Sequence, residues 1–141
     1  MFLGEYTHTI DGKGRLTVPA KFRGELAAGL VVTRGLDRNL VVYPMVEWEK
    51  LAKEILARPI TDQRMRDFRR RVFAGAVDIE PDRQGRILIP PYLREFAGID
   101  GEVIIAGMFS SLEIWSGAEW AKVKESIESS DDAARWADLG I

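Results

Sequence analysis

Apolar residues recur along this chain with two periods, and each change of period marks an element. Arg15-Leu16-Thr17-Val18 and Arg86-Ile87-Leu88-Ile89 alternate sides, which predicts two short strands. Leu30-Val31-Val32-Thr33, Leu40-Val41-Val42-Tyr43, Val103-Ile104-Ile105 and Leu112-Glu113-Ile114-Trp115 read as four more, with Leu36-Asp37-Arg38-Asn39 as turn material inside the first pair. The period then lengthens. Trp48, Leu51, Ala52, Ile55 and Leu56 fall on one face of a helix. A second helix is expected over 62–73, capped by Thr61 or Asp62, with Met65, Phe68 and Val72 inward. Trp120, Val123, Lys124 and Ile127 repeat the helical spacing; Ser129-Ser130-Asp131-Asp132 reads as capping material, and a last short helix is expected over 133–139. Pro19 and Pro90 suit the first turn of a short helix, where a missing N–H costs nothing, and Gly29 and Gly98 suit its end. Strands and helices mix without long crossover connections, so the fold class is α+β.

The pattern is written twice. Asp11-Gly12-Lys13-Gly14-Arg15 and Asp82-Arg83-Gln84-Gly85-Arg86 share Asp, Gly and Arg at a separation of 71 positions, and Pro19 and Pro90 keep that spacing. Leu16 and Val18 answer Ile87 and Ile89, and Phe22-Arg23 answers Leu93-Arg94. Further on, Val42-Tyr43 matches Ile114-Trp115 and Glu47-Trp48 matches Glu119-Trp120 at 72 positions, a net insertion of one residue. Repeated units of this kind bury their apolar faces against each other. The expected units are 5–47 and 76–119, interlocked in one structural domain with a core shared through Leu16, Val18, Ile87 and Ile89. Helical segments 48–75 and 120–141 follow each unit.

Composition narrows the class. With 141 residues and 46% hydrophobic positions the chain can bury a core. It has no cysteine, which removes disulfide frameworks, thiolate metal sites and cysteine nucleophiles together. No apolar run approaches the roughly 20 residues that span a bilayer, and the N-terminus lacks the pattern of a secretory signal, so a cytoplasmic location is expected. The net charge of −2 argues mildly against a nucleic-acid partner. The charge is uneven, however. Arg58, Arg64, Arg66, Arg69, Arg70, Arg71, Arg83, Arg86 and Arg94 crowd the middle, whereas Glu128, Asp131, Asp132 and Asp138 dominate the tail.

The repeated turns are the candidate site. Asp at the first position and Gly at the fourth form a type I turn signature, with the Asp carboxylate free to accept backbone N–H bonds. Asp11, Gly14, Asp82 and Gly85 are therefore read as the turn-forming residues. Turn chemistry does not explain why Arg15 and Arg86 recur immediately afterwards. A guanidinium is a planar fork of donors matched to phosphate and to guanine edges. Arg15 and Arg86 are read as DNA-binding, with Lys13, Lys21, Arg23, Arg83 and Arg94 as phosphate contacts that position without specifying. An aspartic dyad is disfavoured because no small hydroxyl residue follows either carboxylate. His8, the single histidine, has no readable triad partner, and no cluster has metal-ligand spacing. The run Arg64–Arg71 reads as a solvated basic face, because the second half has no matching run.

On these residues the chain resembles the MraZ family of bacterial transcriptional regulators, built from two AbrB-like swapped-hairpin units. The resemblance rests on the Asp-x-x-Gly-Arg motif at Asp11–Arg15 and Asp82–Arg86. Arg15-Leu16-Thr17-Val18-Pro19, Gly35-Leu36-Asp37, Leu40-Val41-Val42-Tyr43-Pro44, Glu47-Trp48-Glu49 and Glu113-Ile114-Trp115 support it. Arg83-Gln84 departs from the small or Lys-containing pair usual in the second motif. The resemblance implies a pseudo-two-fold swapped-hairpin β-barrel of AbrB-like, double-psi type with peripheral helices. It also implies a ring-like homo-oligomer and binding to tandem direct repeats of double-stranded DNA upstream of its own operon, in the division and cell-wall gene cluster. Nucleoid association follows, with no enzymatic activity, cofactor, small-molecule substrate or membrane partner. A ring would present several arginine ribbons at once, which offsets the weak attraction of an acidic protomer for one short element. Two other classes compete: an antitoxin-like or RNA-binding module of the same barrel class, and a structural assembly protein whose arginines hold a protein partner.

Overall fold

Residues 1–129 and 132–141 are described by a computed structural model; Ser130, Asp131 and the side chain of Asp132 lie outside the described residues, and the capping role expected there falls with them. The elements run β1 (Glu5–Thr9), β2 (Arg15–Thr17), a 3-10 turn (Ala20–Phe22) leading into α1 (Arg23–Leu26), β3 (Leu30–Arg34), β4 (Leu40–Pro44), α2 (Met45–Leu56) and α3 (Gln63–Phe73). The second half gives β5 (Val77–Ile79), β6 (Arg86–Leu88), α4 (Pro91–Ala97), β7 (Glu102–Gly107), β8 (Leu112–Ser116), α5 (Gly117–Ser129), α6 (Asp132–Trp136) and a 3-10 turn (Ala137–Leu139).

The halves exchange strands. β1 of the first half pairs with β7 of the second, β5 of the second pairs with β3 of the first, and β2 pairs with β6. The hairpins β3–β4 and β7–β8 meet through β4 and β8, giving an antiparallel sheet in the order β1-β7-β8-β4-β3-β5. This is an α+β fold with the interlocked strands of an AbrB-like arrangement. Its strands do not hydrogen-bond into a closed barrel: the six-stranded sheet ends at β1 and β5, and β2–β6 form a separate two-stranded ribbon. With three residues each, β2 and β6 pair only with one another, and the residues that follow them bond to the turns rather than to the sheet.

Strand register refines the repeat. Thr7 faces Ile104 and, in the equivalent place, Asp78 faces Val31, so the halves are offset by 71 at β1/β5 and by 73 at β3/β7. Thr33 faces Val41 and Ala106 faces Glu113, which returns the offset to 72 at β4/β8. The net insertion of one residue is thus two residues gained before β7 and one lost from the β7–β8 loop.

One core lies between the sheet and the ribbon, and it obeys the same pseudo-symmetry. Leu16, Val18, Phe22, Leu26, Leu30, Val32, Leu40 and Val42 are buried in it with their counterparts Ile87, Ile89, Leu93, Ala97, Val103, Ile105, Leu112 and Ile114. Burial of such aliphatic side chains is worth about 1.5–3 kcal/mol each, so neither half is expected to be stable without the other. The opposite face of the sheet is covered by helices. Thr33 Oγ1 donates to the Val72 carbonyl of α3 at 2.6 Å. Tyr43 meets Trp48 at a tilt and Trp48 meets Phe73 edge-to-face, each with centroids 5.8 Å apart, and Trp115 meets Trp120 at 5.9 Å.

Two expectations shift in detail. Pro19 and Pro90 stand just before their helices as N-caps, their carbonyls accepting from Phe22 and Leu93, while Pro91 takes the first helical position. Leu56 is 59% exposed rather than inward, because α2 ends there and turns away toward α3. Strands β1 and β5 were not read from the sequence: Glu-Tyr-Thr-His-Thr is mostly polar and Val-Asp-Ile is only three residues long, and they become strands because β7 and β3 offer them partners.

Candidate nucleic-acid interface

The two repeated turns have nearly the same internal geometry. In the first, Gly14 N–H donates to the Asp11 carbonyl at 2.9 Å and Asp11 N–H to the Arg15 carbonyl at 3.0 Å. Asp11 Oδ1 accepts from the backbone of Lys13 at 3.0 Å and of Arg15 at 2.8 Å. In the second, Asp82 Oδ1 accepts from Gln84 at 2.9 Å and from Arg86 at 2.8 Å. Gly14 and Gly85 close the turns with φ of +89° and +74°, a region that favours glycine. Both carboxyls are held below the ordinary aspartate value of 3.8, in each case chiefly by the backbone N–H of the following arginine.

Each aspartate also grips its own arginine. Arg15 Nε donates to Asp11 Oδ2 at 2.6 Å and Arg86 Nε to Asp82 Oδ2 at 2.8 Å. The guanidinium is fixed by its inner edge, and its outer nitrogens make no hydrogen bond among the described residues. A side chain already held in one rotamer loses less entropy when it engages a ligand.

The ribbon brings the turns together. Leu16 lies opposite Ile87 and both point into the core. The alternating positions Arg15, Thr17, Arg86 and Leu88 therefore share the outer face. Arg15 lies across from Leu88 and Thr17 across from Arg86, so the two arginines are diagonal neighbours roughly 7–8 Å apart. Val18 N–H donates to the Gly85 carbonyl at 2.9 Å and Ile89 N–H to the Gly14 carbonyl at 2.8 Å, which ties each turn to the strand of the other half.

Arg23 and Arg94 have a part that sequence reasoning missed. Arg23 Nε donates to the Val18 carbonyl at 3.1 Å and Arg94 Nε to the Ile89 carbonyl at 3.0 Å. From there each guanidinium lies over the turn glycine of the opposite half. A Cβ on Gly85 would stand 2.3 Å from Arg23 Nε, and one on Gly14 would stand 2.9 Å from Arg94 Cζ and 2.7 Å from the Ile89 carbonyl oxygen. The pair clamp the two turns crosswise. The repetition of Arg after Phe22 and Leu93 was a signal for equivalent roles, but the partner glycine lies in the other half and no sequence spacing reveals it.

The other predicted residues divide. Lys13 and Arg83 sit at the tips of the turns, exposed, with no side-chain hydrogen bond or ion pair among the described residues. Lys21 places its ammonium 5.2 Å from the Tyr6 ring centroid and 5.3 Å from that of Phe22. The arginines of α3 are largely engaged within the chain. Arg64 pairs with Asp62, the helix cap, and Arg70 with Asp67. Arg66 donates to the carbonyls of Ile60 and Thr61, and Arg69 to those of Leu56 and Arg58. Arg71 donates twice to the Gly35 carbonyl and lies 5.1 Å from the Phe96 ring centroid. Arg66, Arg69 and Arg71 thus staple the α2–α3 connection and the β3–β4 loop, while Arg64 and Arg70 remain on a solvated face, each paired with a neighbouring aspartate. Among the described residues no group of three or more His, Asp or Glu stands together as a metal site, and no helix is long and apolar enough to cross a membrane.

Two interlocked halves that present equivalent Asp-anchored arginines on one ribbon define the chain as a tandem AbrB-like protein. Comparison with known sequences agrees with this class. The family described as "MraZ protein, putative antitoxin-like" matches residues 1–71 and again 72–139. A transcriptional regulator MraZ from Herpetosiphon aurantiacus is 54% identical over 127 residues, covering 90% of this chain and 89% of the relative. The one from Halothermothrix orenii is 50% identical over 143 residues, covering both chains completely, and that from Roseiflexus castenholzii is 49% identical over 129 residues. The chain belongs to the MraZ family, whose named relatives are transcriptional regulators.

Proposed function

We propose that this chain is a sequence-specific DNA-binding regulator that reads short tandem direct repeats upstream of its own operon, in the division and cell-wall gene cluster, as a ring-like homo-oligomer associated with the nucleoid in the cytoplasm. The observation that carries the reading is the ribbon. A two-stranded β-ribbon fits the major groove, and arginine bidentate to guanine O6 and N7 is the commonest specific contact made there. Arg15 and Arg86 stand on its outer face with their inner edges already held by Asp11 and Asp82. Lys13 and Arg83 at the turn tips add phosphate contacts, and Lys21, Arg23 and Arg94 contribute charge from positions the chain itself holds. Head-to-tail assembly supports direct repeats, since such interfaces close into rings, whereas a two-fold dimer matches a palindrome. The chain performs no catalytic step in this reading and needs no cofactor.

The test is affinity for a duplex from upstream of its own gene and for a scrambled duplex, at two salt concentrations. Arg15→Ala and Arg86→Ala should each weaken specific binding by roughly 5- to 150-fold, the value of one base-reading arginine, with the fold intact. A folded double variant that keeps the wild-type preference refutes the reading. Equal binding to single-stranded RNA would favour the RNA-binding alternative, and no nucleic-acid binding at low salt would favour a structural assembly protein. A monomeric mass at micromolar concentration would rule out the ring.

A further inference from the structure

The pseudo-symmetry of the ribbon is broken on its outer face at one place. The first half presents Arg15 and Thr17, the second Arg86 and Leu88. Leu88 is 56% exposed, on the same outer face as both arginines and directly across from Arg15. Its neighbours Ile87 and Ile89 are buried, so the backbone of β6 fixes Leu88 outward. A bare leucine between two aspartate-held arginines costs solubility and contributes nothing to the core.

We propose that Leu88 is a base-reading residue that packs on the 5-methyl group of a thymine beside the guanine read by Arg15, and that the pair Thr17/Leu88 gives each ribbon its direction on the DNA. This rests on the DNA-binding reading above. In the major groove a thymine offers a methyl group and an apolar side chain is its ordinary partner, while a threonine hydroxyl donates to or accepts from any base and its single methyl covers less than a leucine's two. Directly opposed residues on a ribbon have Cβ atoms about 4.5–5.5 Å apart. Successive bases rise about 3.4 Å, so Arg15 and Leu88 address the same or adjacent base pairs. A ribbon with identical halves would read a two-fold symmetric element and could lie on it either way round. One threonine replaced by one leucine removes that ambiguity, as a direct repeat requires. The turn tips differ in the same sense, Gly12-Lys13 against Arg83-Gln84.

The experiment uses the full chain and the duplex from upstream of its own gene, with each thymine replaced in turn by deoxyuridine, which removes the methyl group and nothing else. The wild-type chain should lose about fourfold in affinity at one thymine per element, the worth of one buried methyl group. Leu88→Ala should bind the unmodified duplex correspondingly more weakly and be indifferent to the same replacement. Leu88→Thr should narrow the difference between a direct repeat and an inverted one. A wild-type chain that prefers its element yet ignores every methyl removal overturns the role of Leu88 and leaves the arginine reading standing. So does a Leu88→Ala variant that keeps the methyl dependence while its assembly mass changes, which would make Leu88 a contact between copies. A wild-type chain with no sequence preference at all overturns both.

Discussion

Gly14→Ala tests the crosswise clamp directly, and Gly12→Ala, two residues away, is its control. At position 14 a Cβ meets the Ile89 carbonyl oxygen at 2.7 Å and Arg94 Cζ at 2.9 Å, on a backbone with φ of +89°. Holding an L-residue in that region costs roughly 1–2 kcal/mol. The carbonyl belongs to the opposite half's backbone and cannot swing aside, and it is also the acceptor for Arg94 Nε. Relieving the contact therefore weakens that bond, or the Ile89 to Gly14 bond of the ribbon, by about another 1–2 kcal/mol. The expected loss is about 2–4 kcal/mol, or roughly 6–12 °C in melting temperature for a chain of this length at fixed protein concentration. At position 12 nothing lies within 4 Å and the backbone is not left-handed, so alanine should change stability by less than about 0.5 kcal/mol. Urea unfolding followed by circular dichroism reads both. A Gly14→Ala chain as stable as Gly12→Ala would show that the turn has room to relax and that the clamp does not couple the halves.

Three further outcomes follow from the same geometry. Arg71→Ala removes two hydrogen bonds to Gly35 and the contact with Phe96, so it should destabilise by about 1–3 kcal/mol while leaving the salt dependence of DNA affinity unchanged; a lowered salt slope would mean that this helix touches DNA. Asp62→Ala removes the cap on α3, where Oδ1 accepts from the Arg64 backbone at 2.9 Å, and should cost about 1 kcal/mol by urea midpoint, a neutral result contradicting the cap. Asp11 and Asp82 are held below the ordinary value of 3.8, so the unfolded chain binds more protons there as pH falls. Their contribution is whole from pH 8 down to about 5 and is lost as pH drops below 3.8; an Asp11→Asn, Asp82→Asn chain should therefore show a flatter acid limb, and parallel limbs would contradict the cause assigned.

Local chemistry made much of this protein legible from its sequence. Strands over 30–33, 40–43, 103–105 and 112–115 were readable from apolar runs, and α2 and α3 from a 3.6-residue period, because those signals report which side chains must leave water. The turns were readable because Asp and Gly satisfy them within five residues, and the doubling of the motif placed two arginines in equivalent settings. What the tertiary structure decided is whatever depends on the other half of the chain. Strand β1 is too polar and β5 too short to announce itself, and both exist because β7 and β3 leave open edges. Arg23 and Arg94 are clamps because the interlocked topology lays Arg23 over Gly85, 62 positions away in sequence, and Arg94 over Gly14, 80 positions away, contacts with no local signature. The same holds for Arg66, Arg69 and Arg71, whose carbonyl partners lie on the α2–α3 connection and the β3–β4 loop. Sequence specifies short-range hydrogen bonding and burial periodicity residue by residue; which edge, carbonyl or glycine a long side chain finally meets is set by packing the two halves around one core.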